Sequence, residues 1–474
     1  MYYNMNNDST ICAVATPPGS GAISIIRISG KDAYDICSRM IRFRNSKKNI
    51  KKLKPYTIHY ASVLYHEQLI DEVLVSLFKA PHSYTGEDVI EISCHGAQYI
   101  QQQILQILTD LGARLAQPGE FTLRAYLNGK LDLSQAEAVA DLIASTTASA
   151  HRVALNQMKG GFSNEIANLR AQLLNFISLI ELELDFSEED VEFADRKQLI
   201  QLVKQIRNLI DGLLESFKLG NVVKYGIPVA ITGKTNVGKS TLLNTLLHED
   251  RAIVSEIPGT TRDVIEDVMN IEGYSFRFID TAGLRKSSDK IESIGIEKTF
   301  QRIDQAYIVL YMIDATSDAA EIDRLAGKIK KRLEGKDKKL IIILNKIDKL
   351  SHKELSKLND LRQFKNLDPS DTILNLSVLN HKNIDLLIST LLDIVKSSVT
   401  GEHDVIVTNI RHYEALNNAS NAIDRVSNGL NKNVSSDLIA QDIREVLHYM
   451  GEITGEVTTD EILGNIFSKF CIGK

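Results

Sequence analysis

The 474-residue chain exceeds what one hydrophobic core supports, so roughly two to four domains are expected. Hydrophobic residues make up 43% and charged residues 24%, which is ordinary for a soluble globular protein, and only eight prolines argue against extended disordered linkers. The net charge of −6 excludes a globally basic surface, so any contact with nucleic acid must be local or helped by a partner.

The cysteine pattern and the hydropathy both favour a cytoplasmic protein. Four cysteines are scattered without C-x-x-C or zinc spacing, which is typical of a reducing cytosol: Cys12, Cys37, Cys94 and Cys471. We find no apolar run long enough to span a bilayer and no secretory signal pattern at the N-terminus. We therefore expect a cytoplasmic protein with no membrane span.

Residues 1–130 mix strand and helix signals, which is typical of an α+β domain. The patterns predict strands at 11–15, 22–28, 73–78 and 88–93, and helices at 31–41 and 98–111. Between them, Arg42 to Lys54 contains seven basic residues and no acid. This basic run is interpreted either as a solvated loop or as a patch that faces RNA.

The remainder predicts two helical tracts, 131–222 and 399–474, around an α/β segment, 223–398. Apolar residues recur at helical spacing in both tracts, and Thr458 with Glu461 has capping-box spacing. In the middle segment, strands predicted at 229–231, 274–279, 307–313 and 340–344 alternate with helices, which favours a doubly wound fold around a parallel sheet. The simplest architecture is an α/β domain inserted into a helical domain whose two halves pack together.

The most informative stretch reads GIPVAITGKTNVGKST, from Gly226 to Thr241. A short apolar strand enters G-x-x-x-x-G-K-S, and helix-compatible sequence follows at once, which is the context of a P-loop. Its glycines let successive N–H groups point into one anion-sized concavity at a helix N-terminus. Lys239 is expected to reach the β- and γ-phosphates, and the Ser240 hydroxyl to bind Mg²⁺. The alternative for this stretch taken alone is an ordinary glycine-rich turn.

Partner motifs follow in the order that a GTPase requires. A strand end precedes Asp280-Thr281-Ala282-Gly283, where Asp280 can hold Mg²⁺ through water and the Gly283 N–H can meet a γ-phosphate. Upstream, Gly259-Thr260-Thr261-Arg262-Asp263 is expected to act as a switch that closes on Mg²⁺. Asn345-Lys346-Ile347-Asp348 follows another strand, and the Asp348 carboxylate can accept from guanine N1–H and its amine. Ser377-Val378 can offer a backbone N–H to the guanine carbonyl.

The catalytic parts differ from a glutamine-and-arginine GTPase. Leu284 follows the Asp-Thr-Ala-Gly motif, so no glutamine orients water there, and the sequence announces no arginine finger. Asn236 can offer its amide oxygen to a monovalent cation, with loop carbonyls near Ser255 and Ile257 completing the shell. A K⁺ ion would then occupy the place of a guanidinium. The alternative is that Asn236 hydrogen-bonds within its loop.

Four further blocks extend the pattern over the whole chain. They are ATPPGSGAISIIRISG near the start, SYTGEDVIEISCHG at 83–96, PGEFTLRAYLNGKLDLSQAEAVADLI at 118–143, and the terminal Phe-Cys-Ile-Gly-Lys. With the GTPase motifs between them, the chain resembles the MnmE (TrmE) family of tRNA modification GTPases along its whole length. Three positions differ from the family pattern: Lys234-Thr235 in the P-loop, Ala97 after His95-Gly96, and Ser377-Val378-Leu379 in the last guanine motif, where a long cationic side chain is lost.

The resemblance implies a domain plan and a chemistry. It implies an N-terminal tetrahydrofolate-binding and dimerisation domain (1–130), a helical domain in two parts (131–222 and 399–474) and an inserted Ras-like P-loop domain (223–398). It implies a K⁺-stimulated GTPase that forms a heterotetramer or larger complex with the FAD-dependent MnmG. Together they would add an aminomethyl or carboxymethylaminomethyl group at C5 of the wobble uridine of certain tRNAs. The one-carbon donor would be 5-formyl- or methylene-tetrahydrofolate.

The resemblance also assigns residues. Glu292 would orient water, although in isolation it reads equally as a helix-surface acid, and Cys471 would be a thiol of the folate site or a buried small residue. Mg²⁺ would be held by Ser240 and Thr261, K⁺ by Asn236, Ser255, Ile257 and Thr260, and folate by Arg27, Glu91, Lys130 and Lys474. The GTP-binding set comprises Asn236, Val237, Gly238, Lys239, Ser240, Thr241, Ser255, Glu256, Ile257, Pro258, Gly259, Thr260, Thr261, Asp280, Thr281, Ala282, Gly283, Asn345, Lys346, Asp348, Ser377 and Val378.

Two other classes of function compete with this interpretation. A ribosome-assembly GTPase of the Era-like type would carry an RNA-binding α/β module after its nucleotide domain, where this chain is predicted to be helical. A regulatory switch would respond to the nucleotide without chemistry of its own. Folate binding at the N-terminal domain separates the first reading from both.

Overall fold

The computed structural model describes residues 9–44, 48–185, 195–248, 253–254, 267–279, 303–336, 338–360, 363–399, 407–432 and 434–474. The chain divides into two compact units. One contains Met1–Ala144, Ala154–Asn208 and Glu414–Lys474, and the other Ser145–Val153 and Leu209–Tyr413. The second unit therefore contains the segment with the predicted nucleotide motifs.

The first unit begins with a seven-stranded sheet in the order β3-β4-β5-β6-β2-β1-β7. Neighbouring strands are antiparallel except β1 and β7, which are parallel. The strands are Ile11–Val14 (β1), Ile23–Ser29 (β2), Ile41–Phe43 (β3), Ile58–Tyr65 (β4), Gln68–Phe78 (β5), Val89–His95 (β6) and Arg114–Leu115 (β7). The predicted α+β class is confirmed, but β3, β4 and β7 lay outside the predicted strands.

Two helices cover one face of this sheet, because their apolar stripes join its buried residues in one core. They are Ala33–Met40 (α1) and Gln98–Asp110 (α2). The prediction that the first helix extends to residue 41 was wrong, since Ile41 is already extended (φ −93°, ψ 131°) and starts β3. A third helix, Glu120–Leu127 (α3), follows β7.

Long helices make up the rest of the first unit and lead into the second. They are Leu133–Ala144 (α4), Ala148–Met158 (α5), Gly161–Asp185 (α6) and Arg196–Tyr225 (α7), and after the nucleotide segment Ile410–Asn431 (α12), Ser436–Thr454 (α13) and Asp460–Phe467 (α14). Helix α13 packs along α6, so the C-terminal tract meets the helices that precede the insertion. The predicted capping box was wrong: Thr459, not Thr458, caps α14 by accepting from the Ile462 N–H.

The second unit is built on another seven-stranded sheet, in the order β14-β13-β12-β8-β11-β10-β9. Its strands are Ile227–Gly233 (β8), Ile253–Val254 (β9), Asp267–Ile271 (β10), Tyr274–Phe278 (β11), Ile308–Asp314 (β12), Lys339–Asn345 (β13) and Thr372–Leu376 (β14). The sheet is parallel from β14 to β11, as predicted, and antiparallel beyond it. Glu272 and Gly273 both have positive φ and form a two-residue hairpin turn, which explains the reversal.

Helices lie on both faces of this second sheet, as a doubly wound fold requires. They are Lys239–Leu247 (α8), Ala319–Leu333 (α9), His352–Leu358 (α10) and Ile384–Val399 (α11). The apolar residues of α8 and α11 share one core with the sheet, while α9 packs on the opposite face. Among the helices that the structure describes, none is long and apolar enough to cross a membrane.

Candidate functional site

The P-loop connects β8 to α8, at the centre of the second sheet. Gly233 and Gly238 have φ of 145° and 102°, and Asn236 between them has φ of 58°. A Cβ at Gly233 would lie 2.3 Å from the Met312 carbonyl oxygen, so no larger residue fits there without a shift of the backbone. Left-handed residues before a helix turn backbone N–H groups into a concavity that suits an anion.

The lysine of the motif lies at the first position of α8. Its Nζ donates to the carbonyl oxygen of Gly233, at 3.0 Å, and to that of Lys234. Lys234 itself pairs with Glu321 on α9. The amine of Lys239 is therefore held against the backbone of the loop that is expected to surround the phosphates.

Asn345, at the end of β13, links two parts of the site. It belongs to the motif predicted to recognise the base, and its side chain is hydrogen-bonded to the P-loop. Its side chain is only 3% exposed. Its Nδ2 donates to the carbonyl oxygen of Val237 at 2.8 Å, and its Oδ1 accepts from the Val378 N–H at 3.1 Å. Sequence reasoning treated these three residues as separate contacts, whereas the structure shows one amide holding two loops together.

Lys346, the next residue of the same motif, is also held in place. Lys346 has φ of 69°, and its Nζ donates to Asp314 Oδ2 at 2.6 Å. Burial raises the pKa of Asp314, but hydrogen bonds from Lys346 and Thr316 outweigh burial and leave that pKa below its usual value. Asp314 ends β12 and was not singled out in the sequence, because nothing local announces its pairing with a residue on another strand.

Asp348, the last residue of this motif, lies on a short helical turn, and its Oδ1 accepts from the Ser377 hydroxyl. Ser377 is fully buried, whereas the Leu379 side chain is 74% exposed. The structure thus brings together Asn345, Asp348, Ser377 and Val378 beside the P-loop. The backbone N–H of Val378 already donates to Asn345, so it is a positioning contact within the protein.

Part of the predicted nucleotide site lies outside the described residues. These predictions are Ser255, Glu256, Ile257, Pro258, Gly259, Thr260, Thr261, Asp280, Thr281, Ala282, Gly283 and Glu292.

A second group of predicted residues meets in the first unit. Arg27 on β2 and Glu91 on β6 are direct partners in the strand register, and Arg27 Nε donates to Glu91 Oε1 at 2.8 Å. The guanidinium carbon of Arg27 lies 5.4 Å from the centre of the Tyr84 ring and 5.6 Å from that of Phe121. Both rings belong to sequence blocks noted above, but spacing alone does not show that they flank Arg27.

The C-terminus reaches the same place. Arg27 Nη1 donates to the Gly473 carbonyl oxygen at 3.3 Å, and Gly473 has φ of 95°. A Cβ at Gly473 would lie 2.3 Å from the carbonyl oxygen of Val14, so glycine is required for this approach to β1. Burial and the positive charge of Arg27 lower the pKa of Lys474. The lysine therefore lies close to the Arg27–Glu91 pair.

The two remaining residues predicted for this site are Cys471 and Lys130. Cys471 is exposed, which excludes the alternative of a buried packing residue, and its carbonyl oxygen accepts from the Gly119 and Lys474 N–H groups. The other cysteines are buried, and burial raises the pKa of Cys94 to about 11. Lys130 lies beside Gly86 and, in the described structure, makes no hydrogen bond or ion pair with Arg27, Glu91 or Lys474.

Comparison with known families covers nearly the whole chain. A model described as the MnmE helical domain matches residues 133–471, which is more than half of the sequence. A model described as the GTP-binding protein TrmE N-terminus matches residues 10–130. The chain belongs to the MnmE family. The multidomain fold class expected from the resemblance is thereby confirmed.

Full-length MnmE relatives agree with this assignment. The tRNA modification GTPase MnmE of Bacteroides thetaiotaomicron is 54% identical over 99% of this chain and 100% of its own length. That of Christiangramia forsetii is 53% identical over 99% and 100%. That of Cytophaga hutchinsonii is 49% identical over 99% and 98%. Membership in this family makes the chain an enzyme of the GTPase class, and the Era-like alternative is not favoured.

Proposed function

We propose that this chain hydrolyses GTP to drive the modification of the wobble uridine of certain tRNAs. In this proposal an aminomethyl or carboxymethylaminomethyl group is added at C5 with a tetrahydrofolate one-carbon unit. The observation that carries the proposal is the full-length match to tRNA modification GTPases, together with a P-loop tied by Asn345 to the base-recognition motif.

The GTP site uses the residues of the second unit. Lys239 would contact the β- and γ-phosphates from the start of α8, and Asp348 would accept from guanine N1–H and its amine. Adenine offers no such donor pair, so it would leave the carboxylate unpaired. The Ser240 hydroxyl and Thr261 would hold Mg²⁺, which supplies positive charge to the phosphate oxygens when bound. Asp280 and Gly283 would complete the γ-phosphate contacts.

A monovalent cation fits the donors that the P-loop and the following loop offer. Asn236 carries an amide oxygen on a left-handed position of the loop. Further neutral oxygens would come from Ser255, Ile257 and Thr260. A shell made of neutral oxygens without a carboxylate suits a monovalent cation such as K⁺. When bound, K⁺ would supply positive charge near the transferring phosphoryl group, where negative charge develops. Glu292 would orient the attacking water, the role that Leu284 cannot fill.

The Arg27 group fits a reduced folate by its chemistry. A pteridine ring offers neighbouring N–H donors that suit the Glu91 carboxylate, and the glutamate tail of folate is anionic and suits Lys474 and Lys130. The rings of Tyr84 and Phe121 supply flat apolar surface beside Arg27. Cys471, which is exposed, begins the same C-terminal turn, and its thiol would take part in the one-carbon chemistry.

The proposal includes partners. We infer a homodimer formed through the N-terminal domain and a complex with the FAD-dependent MnmG, both on the ground of membership in the MnmE family. The tRNA substrate would be shared between the two proteins. A cytoplasmic location follows from this role in translation.

The experiment compares GTP turnover by the full-length chain in KCl and in NaCl at equal ionic strength. We expect turnover in KCl to be faster by on the order of tenfold or more, because the cation replaces an arginine finger. The Asn236→Ala variant should lose the difference between the two salts, while Asn421→Ala, on an exposed face of α12, should keep it. Glu292→Ala should still bind GTP and lose most of its hydrolysis. Equal rates in both salts would contradict the cation assignment.

A further inference from the structure

We propose that the loop between β3 and β4, together with Arg42 of β3, is an RNA-binding surface, in which exposed cations hold phosphates and the Tyr56 ring stacks on an unpaired base. The inference deepens the proposed function, on which it rests, by naming where this chain contacts its tRNA. The surface, here called the β3–β4 patch, consists of Arg42, Arg44, Lys48, Lys52, Lys54 and Tyr56. Residues 45–47 lie outside the described part of the chain and are not included.

The charge of the patch contrasts with that of the whole chain. The sequence contains no acid between Asp35 and Glu67, although the net charge of the protein is −6. All five basic members of the patch are exposed. Lys51 beside them pairs with Asp35, but in the described structure no carboxylate pairs with Lys48, Lys52 or Lys54. These three amines are therefore available to a polyanion.

Tyr56 is fixed in an unusual position. Its side chain is 55% exposed, and its φ of 61° is rare for a bulky residue. Its N–H donates to the Leu77 carbonyl oxygen at 2.7 Å, and its hydroxyl donates to that of Lys79 at 3.2 Å. Such conformations persist where the surroundings hold them, and they cluster at functional sites. The ring is thus held at the surface without being used in the core.

Helix α1 contacts residues that neighbour both the cations and the ring. Asp35 of α1 binds Lys51, which lies between the patch residues Lys48 and Lys52. The preceding residue, Tyr34, lies under the amine of Lys79, at 4.7 Å from the ring centre. The main-chain carbonyl oxygen of Lys79 accepts from the Tyr56 hydroxyl. Consecutive residues of one helix therefore contact Lys51, next to the patch lysines, and Lys79, whose backbone holds the Tyr56 hydroxyl.

RNA is the partner that this combination suits best. Clustered lysine and arginine side chains hold phosphates and release counterions, which gives affinity with a steep salt dependence. A fixed, exposed aromatic ring accepts an unpaired base by stacking, and tRNA offers such bases in its loops. A membrane surface usually recruits an amphipathic helix with a broad apolar face, which this turn does not form.

The test measures binding of a fluorescent, unmodified tRNA transcript to the full-length chain by anisotropy over a series of KCl concentrations. In the patch variant, Lys48→Gln, Lys52→Gln and Lys54→Gln are combined. The matched control combines Lys197→Gln, Lys353→Gln and Lys432→Gln, which changes the same charge at dispersed, exposed positions. The patch variant should lose at least about tenfold in affinity at low salt, and its salt slope should fall by roughly two to three. The control should change affinity by less than about twofold.

Tyr56 tests the stacking part separately. Tyr56→Ala should weaken tRNA binding by roughly fivefold to a hundredfold, while its effect on a fully paired RNA duplex should be smaller. Tyr56→Phe keeps the ring and should bind nearly as the original chain does. Should Tyr56→Ala fail to fold, the lysine variants still decide the proposal, because all their substituted side chains are exposed.

Three results would overturn the inference: no binding of tRNA by the original chain at low salt, equal losses in the patch and control variants, or loss of binding to phosphatidylserine vesicles with unchanged binding to tRNA. K⁺-dependent GTP turnover should be the same in all these variants. Unchanged tRNA binding by the patch variant, with intact turnover, thus counts against the patch alone, whereas absent turnover in the original chain counts against the proposed function.

Discussion

Asn345 Nδ2 donates to the carbonyl oxygen of Val237 at 2.8 Å, which ties the end of β13 to the P-loop. The same amide accepts the N–H of Val378, so one buried side chain holds the phosphate loop and the loop after β14 in register. Nucleotide binding needs both loops at matching positions, because the phosphates and the base are covalently joined parts of one ligand. Asn345 is therefore a positioning residue for the whole nucleotide.

Asn345→Ala should weaken GDP binding by on the order of a hundredfold, since it leaves a buried carbonyl and a buried N–H without their partner, at a cost of about 1–3 kcal/mol each. Calorimetry measures the affinity, and thermal unfolding separates it from loss of structure. Asn359→Ala, at the exposed end of α10, is the control and should have little effect. Unchanged GDP affinity in Asn345→Ala would show that the loops keep their positions without this amide.

Asp348→Asn should change the preferred base. The carboxylate, which the Ser377 hydroxyl supports, is expected to accept from two donors of guanine. An amide there would lose on the order of a hundredfold in GTP affinity, because charged hydrogen bonds contribute about 1.5–3 kcal/mol each. Xanthosine triphosphate, which carries an oxygen in place of the amine, should gain. Competition binding of GTP, ATP and xanthosine triphosphate measures the order of the three affinities. Asp393→Asn, on the exposed face of α11, is the control and should leave that order unchanged. An unchanged order in Asp348→Asn would rule out Asp348 as the carboxylate that binds guanine.

Folate binding should depend on pH through Lys474. Burial and Arg27 lower the pKa of its amine, so it loses its charge at a lower pH than an ordinary lysine does. Affinity for the anionic tail of 5-formyltetrahydrofolate should accordingly fall as pH rises from 7 toward 10. Lys474→Arg stays charged over this range and should resist the fall, while Lys469→Arg should follow the original chain. Identical pH curves for Lys474→Arg and the original chain would remove Lys474 from the site.

Glu120 should stabilise the first unit in a pH-dependent way. Its carboxylate is 6% exposed and accepts from Arg114, from Arg124 and from the Gln117 N–H. Burial raises its pKa, but these donors outweigh burial and leave the pKa below the ordinary value of 4.5. The stabilisation is therefore present above about pH 4.5 and is lost as the pH falls through the lowered pKa.

The matching variant is Glu120→Gln, which should destabilise the protein by about 3 kcal/mol near pH 7, because the buried Arg124 keeps its charge and is left with Glu87 as its carboxylate partner. The difference from the original chain should shrink on acidification. Thermal unfolding at several pH values measures it, with the exposed Glu67→Gln as control. A difference that stays constant down to pH 3 would contradict the assigned charge.

Local patterns predicted what is local in the structure. The strand, turn and helix around Gly233 and Gly238 were predicted because each element shows in a few neighbouring residues. The hairpin at Glu272-Gly273 was missed. Strand β4 was also missed, because it exposes Ile58 and Tyr60 on one face and follows a basic run that is typical of a loop. The cap at Thr459 was displaced by one residue, because two threonines compete there.

Contacts between distant residues could not be read from spacing. Asp314 ends β12 and binds Lys346, which directly follows the neighbouring strand β13. Tyr84 and Phe121 flank Arg27 only because distant segments of the chain come together in the fold. The candidate folate residues were assigned through family resemblance, and the strand register then supplied a direct pairing for Arg27 with Glu91. Lys130 stays a prediction that this pairing does not include.

The most direct test of the account is mass spectrometry of wobble uridines in tRNA from cells that lack this protein, complemented with the original chain, with Asn345→Ala or with Asn359→Ala. The account predicts that C5-aminomethyl and C5-carboxymethylaminomethyl uridines disappear without the protein. They should return with the original chain and with Asn359→Ala, but not with Asn345→Ala. Undiminished modification in cells that lack the protein would contradict the proposed function.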